Sequence, residues 1–275
     1  MEKLLVGFVG MISIGCDVNM YLMVCITALL ASFLTLFSGF GLGTLLMPAF
    51  AIYFSIDTAI AMTAVVHMVN NIIKIILVGR KANRNVLIKF APPAILAAMA
   101  GAWLLTNLSD MPIIMNYMIG QRTFQVTLEK VVIGSLMIGF AFIELLPNFE
   151  KIKIDVKWLP LGGVISGFFG GLSGHQGAFR SAFLSKAGLD KEAFIATGVV
   201  IAVMIDITRI AVYADHIVRL GAGTNWKLVL TATLSALIGS LTGSRLIKKI
   251  TFRSVHMIVG FMLIVIGALL GIGFI

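Results

Sequence analysis

Charged side chains are scarce in this sequence. Only 12% of its 275 residues are Asp, Glu, Lys or Arg, where a soluble domain carries about a quarter. With 59% hydrophobic residues and a mean hydropathy of +1.05, a soluble fold is excluded, because so little charge cannot cover so much apolar surface. Cysteine is nearly absent: Cys16 and Cys25 are the two present, with no CxxC pair, which excludes a disulfide framework and a zinc site and leaves no metal ligand set. No nucleotide-binding motif occurs and nothing calls for a cofactor. The net charge of +9 does not point to nucleic acid, since the basic residues fall in short gaps between apolar runs and no soluble domain presents them. Such gaps set orientation in a bilayer instead.

What the chain does have is long apolar runs, each approaching the roughly 20 residues a helix needs to cross about 30 Å of hydrocarbon. Runs and breakers place spans near 20–55 (broken at 38–43), 58–79, 86–106, 128–146, 159–189 (broken at 170–177), 193–214, 226–244 and 255–275. The expected fold class is therefore an all-α integral membrane protein, because barrel strands would give short alternating segments. Residues 1–19 form a short apolar segment of their own, read as an embedded or interfacial helix in preference to a secretory or lipoprotein signal. The chain is expected in the cell membrane as a multi-pass protein, with the lipid bilayer as its first partner and the oligomeric state open between a monomer and a homo-oligomer.

The order of elements, a broken segment followed by three helices, occurs twice. Sliding the sequence by 135 residues lays Ser38-Gly39 on Ser173-Gly174, Asp57 on Glu192, Asn71 on Asp206 and Lys74 on Arg209. The shift selects rare polar residues, so a duplicated unit is the economical explanation. Repeat 1 spans 20–146, a cytoplasmic linker 147–158 and repeat 2 159–275. If each broken segment re-enters on its own side, loops 80–89, 147–157, 186–191 and 245–253 share one face and carry thirteen Lys or Arg, against Arg122, Lys130, Arg219 and Lys227 on the other. That bias favours two inverted repeats with the basic loops in the cytoplasm and the C-terminus outside.

Unwound backbone at membrane depth leaves N–H and C=O groups unpaired at several kcal/mol each, so it persists only where protein or a water-filled cavity receives it. The breaks Ser38-Gly39-Phe40-Gly41-Leu42-Gly43 and Gly170 to Gly177 thus mark a site rather than mere close packing by small residues. Helices restarting from Thr44 and from Ala178 would aim free amides and positive dipole ends into the gap, which favours an anion. His67, Asn70, Asn71 and Lys74 share one face of helix 58–79, and Asp206, Arg209 and Tyr213 form the matching stripe on helix 193–214. Lys74 and Arg209 lie close enough to helix ends to snorkel, while Asp206 pairs with Arg209 one turn away and leaves guanidinium donors for a ligand oxygen. Arg180 adds a full charge at the second restart. His175 is read either as a proton-responsive group or as a donor to carbonyls of the turn. Asp57, Glu144 and Glu192 read as interfacial. The expected substrate-binding set is Ser38, Gly39, Gly41, Gly43, Thr44, Asn70, Asn71, Lys74, Ser173, Gly174, His175, Gln176, Gly177, Arg180, Asp206 and Arg209, with His175 and Asp206 as proton-coupling candidates and no catalytic residue.

The phrase Ser38-Gly39-Phe40-Gly41-Leu42-Gly43-Thr44-Leu45-Leu46-Met47-Pro48 resembles the glycine-rich first motif of the sulfite exporter TauE/SafE family of membrane permeases. Gly167 to Gly177 resembles its second motif, and the duplicated architecture covers nearly the whole chain. The second motif departs from the family in having His175-Gln176 where more glycine is usual, and Phe183 stands where a proline is expected. The resemblance implies transport of small anions, often sulfur oxyanions such as sulfite or organosulfonates.

The leading expectation is a secondary transporter of a small anionic substrate, rocking one inverted repeat against the other and coupled to an ion gradient or to the substrate's own gradient. An anion channel would share the site without alternating closure. A membrane-embedded enzyme would need clustered acidic metal ligands or a His and acid pair on cytoplasmic loops, and the loops here are short and basic.

Overall fold

The computed structural model describes residues 18–34, 41–146, 154–219, 225–246 and 252–275. Residues 1–17 of the N-terminal segment, linker residues 147–153 and the break residues Ser38 and Gly39 lie outside the described residues. The helices are α1 (Val18–Leu34), α2 (Leu42–Ala51), α3 (Ile56–Val78), α4 (Arg84–Ser109), α5 (Leu128–Leu145), α6 (Leu159–Ser173), α7 (Gly177–Leu184), α8 (Lys191–Arg219), α9 (Trp226–Leu246) and α10 (Phe252–Gly271). Each half thus reads broken pair, then three helices. Among the described residues, four helices are long and apolar enough to span a membrane: α3, α4, α8 and α9. Ile76, Leu96, Trp103, Phe142 and Phe261 stand exposed on the outer faces of the bundle, the surface expected of a protein solvated by lipid.

Local chemistry sets the boundaries. Asn83 caps α4 by accepting from the Val86 N–H, and Thr127 caps α5 by accepting from the Lys130 N–H. α6 starts with a proline in its first turn and ends at Gly174, whose φ of 80° is the left-handed conformation that closes a helix. The breaks fall close to expectation, but the helices restart at Leu42 and Gly177 rather than at Thr44 and Ala178. α2 and α7 begin 135 residues apart, and so do α3 and α8, at Ile56 and Lys191.

One element was not expected. β1 (Ile113–Ile119) and β2 (Arg122–Thr127) form an antiparallel hairpin between α4 and α5, turning at Gly120 with φ 63°. Tyr117, Phe124 and Phe274 stack on one another, and the Tyr117 hydroxyl donates to the Ile272 carbonyl, so the hairpin packs on the C-terminal tail.

Glycines decide how the halves meet. Gly163, Gly167 and Gly171 recur every fourth residue on α6, and a methyl at each would strike the backbone of Phe90, Ala94 and Ala98 on α4, within 2.3 Å of a carbonyl oxygen. These helices run parallel at the close approach that small residues allow. α1 and α9 repeat the arrangement, with Gly239 on Leu29 and Gly243 on Phe33. By contrast, helices at matching places in the two halves run antiparallel. His67 of α3 meets Asp206 of α8 while Asn83 meets Thr197, and on α5 and α10 Gly134 meets Gly267 while Leu145 meets Gly260. Lys81 pairs with Glu192, and Ile154, Val86, Leu87, Ala187 and Leu189 share one apolar cluster, so three of the basic loops lie at one end of the bundle.

Gly167→Ala should lower stability by about 1–3 kcal/mol through overpacking against backbone that cannot yield, whereas Gly139→Ala, with open space around the position, should be silent. Thermal unfolding in detergent or nanodiscs checks both.

Candidate functional site

The two stripes of polar residues meet. Asp206 of α8 has no exposed surface, and its carboxylate is bound from α3, from the second break and from its own helix. His67 Nδ1 lies 2.6 Å from Oδ2; because a carboxylate only accepts, the proton sits on Nδ1 and Nε2 is left to accept from the Asn71 amide at 3.2 Å. Oδ1 accepts from Gln176 Nε2 at 3.1 Å and from Arg209 Nε at 3.1 Å. Arg209 Nη2 also lies 2.9 Å from Oδ1, in the ion pair, yet is not aligned to donate and has no hydrogen-bond acceptor among the described residues. The expected pairing of Asp206 with Arg209, with a guanidinium donor to spare, therefore holds. The snorkelling alternative for Arg209 does not: the side chain is wholly buried, with Asp206 and the Gly170 carbonyl to satisfy it.

Arg209 and Tyr213 also close the second break. Arg209 Nη1 donates at 3.4 Å to the Gly170 carbonyl, which also accepts the Gly174 N–H, and the Tyr213 hydroxyl donates to the Gly171 carbonyl in the last turn of α6. A cation at a helix C-terminus is favoured by the dipole as well. Gln176 locks the turn from the other side. Its Oε1 accepts from Arg180 Nη1 at 3.2 Å, and its backbone carbonyl accepts from Ser166 Oγ at 3.0 Å.

The breaks themselves touch. A methyl on Gly43 would stand 3.4 Å from the Gly174 carbonyl oxygen, and one on Gly41 3.6 Å from His67 Nε2. Every residue of α2 is buried, Gly177 is buried, and neither α2 nor α7 carries a capping side chain among the described residues. Two sets of helix-initial amides are thus held inside the protein without the usual side-chain acceptors. Around them Lys74, Arg180 and Arg209 supply three positive charges against the one carboxylate of Asp206. Arg180 is buried, and its charge is felt at both Lys74 and His67. Chemically, such a junction can accept a small anion, which would meet the free amides and offset the excess of positive charge.

Several expected residues are directed elsewhere. Asn70 points away into a closed triad with Ser32 of α1 and Ser240 of α9: it donates to Ser32 Oγ at 3.3 Å and accepts from Ser240 Oγ at 2.9 Å, and the two hydroxyls lie 2.7 Å apart. Being adjacent to Asn71 on a helix, it faces about 100° away. Ser173 donates to the Phe169 carbonyl within its own helix. Asp57, expected at an interface, is buried. Thr44 is buried at the start of α2, and Lys74 is half-buried.

His175 takes the second of its two expected roles, as a donor to a carbonyl of the turn. Its Nδ1 donates to the Ser173 carbonyl at 3.0 Å, its ring stacks on Phe140 with centroids 4.9 Å apart, and its buried Nε2 has no partner among the described residues. His67, Tyr213 and Phe140 were absent from the expected set. His67 and Tyr213 lay on the polar stripes, and their partners across helices were what the stripes could not reveal.

Asp206→Asn should cost about 3–5 kcal/mol, because Arg209 would remain buried without its counter-charge. The double variant Asp206→Asn/Arg209→Gln should be less destabilised than the sum of the single variants; thermal unfolding of all three checks this.

The family model described as sulfite exporter TauE/SafE matches residues 24–270. No curated protein and no solved structure matches the chain.

Proposed function

Because the chain belongs to the sulfite exporter TauE/SafE family, we propose that it is a multi-pass plasma-membrane transporter of a small sulfur oxyanion, sulfite or an organosulfonate, working by alternating access between two inverted halves. The observation that carries this reading is the meeting of two buried helix starts, Gly41-Leu42 and Gln176-Gly177, beside a surplus of buried positive charge. In the proposal the anion sits between those starts. It receives backbone N–H groups from α2 and α7 and is held by Arg180 and Lys74, with the spare Arg209 donor behind them.

The inverted arrangement is supported by the antiparallel pairing of α3 with α8 and of α5 with α10, since an axis in the membrane plane reverses each helix onto its equivalent. The basic end formed by Arg80, Lys81, Arg84, Lys89, Lys157, Lys186 and Lys191 would face the cytoplasm. Alternating access would have each half rock about the His67–Asp206 contact, the point where α3 and α8 meet at the site. Of the two proton-coupling candidates, Asp206 accepts three hydrogen bonds, which favour the carboxylate, while the Nε2 of His175 has no partner among the described residues. His175 is therefore the better placed to take up a proton in step with the anion.

In proteoliposomes the protein should exchange labelled for unlabelled sulfite with saturation. Lys74→Gln combined with Arg180→Gln should reduce exchange by about 10- to 100-fold, the loss of a charge-assisted hydrogen bond worth roughly 1.5–3 kcal/mol. Flux that neither saturates nor shows counterflow would identify a channel instead. Full exchange in a double variant that unfolds at the wild-type temperature would remove these residues from the site.

A further inference from the structure

A second cluster of buried titratable groups lies apart from the anion junction. Glu129, in the first turn of α5, is only 7% exposed. Its carboxylate accepts the backbone N–H of Asp57 in the first turn of α3, while its Oε1 has no partner among the described residues. Asp57, itself 8% exposed, brings a second carboxylate to the same place. Among the described residues, the other groups facing Glu129 are Lys130 on its own helix, whose Nζ donates to the Gln125 carbonyl, and Tyr213 of α8, which lies in the field of Glu129 as well as of Arg209 and Asp206.

Two carboxylates taken out of water side by side cannot both stay ionised without a large penalty, and a buried charged oxygen with no donor adds to it. Two helix N-termini and Lys130 offset part of that cost, but they leave Oε1 bare. A metal ion would need more ligands: among the described residues no group of three or more His, Cys, Asp or Glu is placed to hold one. A proton resolves both difficulties with a single bond.

The position is informative. α3 and α5 both start at the end of the bundle opposite the basic loops, and Tyr213, in the field of Glu129, donates to the Gly171 carbonyl, next to the Gly170 carbonyl that takes Arg209, itself paired with Asp206. We infer that Glu129 is a proton-binding site at the non-basic end of the bundle, holding one proton beside the Asp57 carboxylate and exchanging it with the solution on that side. The proton is bound to a Glu129 oxygen as a neutral carboxylic acid, and leaves as H⁺ to restore the carboxylate. Proton occupancy stands on the buried pair alone; a role in coupling rests on the transport reading above.

Infrared spectroscopy of the purified protein in lipid, titrated with acid and base, reads the C=O stretch of protonated buried carboxyls. The wild type should show such a band at neutral pH. It should be absent from Glu129→Gln, which mimics the neutral acid and should unfold at the wild-type temperature, and in Asp57→Asn it should disappear at lower pH because the neighbouring charge is gone. A wild type without the band, or a band that survives Glu129→Gln, overturns the proton site. In sulfite-loaded proteoliposomes with an internal pH dye, Glu129→Gln should retain sulfite exchange and lose sulfite-driven proton movement, and proton movement at the wild-type rate overturns the coupling role. A wild type that exchanges no sulfite counts against the transport reading, while the infrared bands still decide the proton site.

Discussion

A carboxylate with no exposed surface, in a protein surrounded by hydrocarbon, needs donors on both of its oxygens. Asp206 obtains them from His67 on α3, Gln176 in the second break and Arg209 on its own helix. The arrangement of the centre follows from that requirement. Gln176 is held where it ends the turn after α6, Arg209 is swung toward the carbonyl of Gly170, and α3 is kept against α8. Removing the carboxylate would leave a guanidinium buried in low dielectric and the turn without its anchor, so a single charge couples helix packing to the shape of the junction.

The glycine-lined contacts complement this polar centre. α6 lies along α4 at backbone-to-backbone distance, and α1 lies along α9 in the same way, so each broken pair is fastened to a neighbouring helix by close packing. The middle of the molecule is different in kind: α3 and α8 meet at the His67–Asp206 hydrogen bond, which tolerates small rearrangements better than interlocked backbone does. Under the proposed mechanism this division of labour lets packed units move as bodies while the polar contact between them changes partners.

Much of the architecture was legible because lipid restricts it. Backbone polar groups in hydrocarbon must be satisfied within helices, so apolar runs become helices and glycine-rich interruptions become exceptional. The shift of 135 residues aligned the starts of α2 with α7 and of α3 with α8, because the helices bearing the site keep the spacing between repeats. The site was legible only as faces. Helical periodicity put His67, Asn71 and Lys74 on one stripe, but could not tell that Asn70, one residue along, serves a triad with Ser32 and Ser240, contributed by helices far away in sequence. Nor could it show that Tyr213 caps a carbonyl of α6. The hairpin at Ile113–Thr127 was hidden for another reason. β1 is apolar on both faces and so lacks the alternation that marks a strand, and the cues left were the alternating Phe124 and Val126 of β2 and the Gly120-Gln121 turn.

The central claim is that two buried helix starts converge on one anion. A density map of the protein in nanodiscs with selenite, a heavier analogue of sulfite, tests it most directly. The account requires density between the starts of α2 and α7, within hydrogen-bond reach of the Gly177 amide and the Arg180 guanidinium. Selenite found only at the lipid headgroup surface, with α6 and α7 running on as one helix through Gly174, would contradict it.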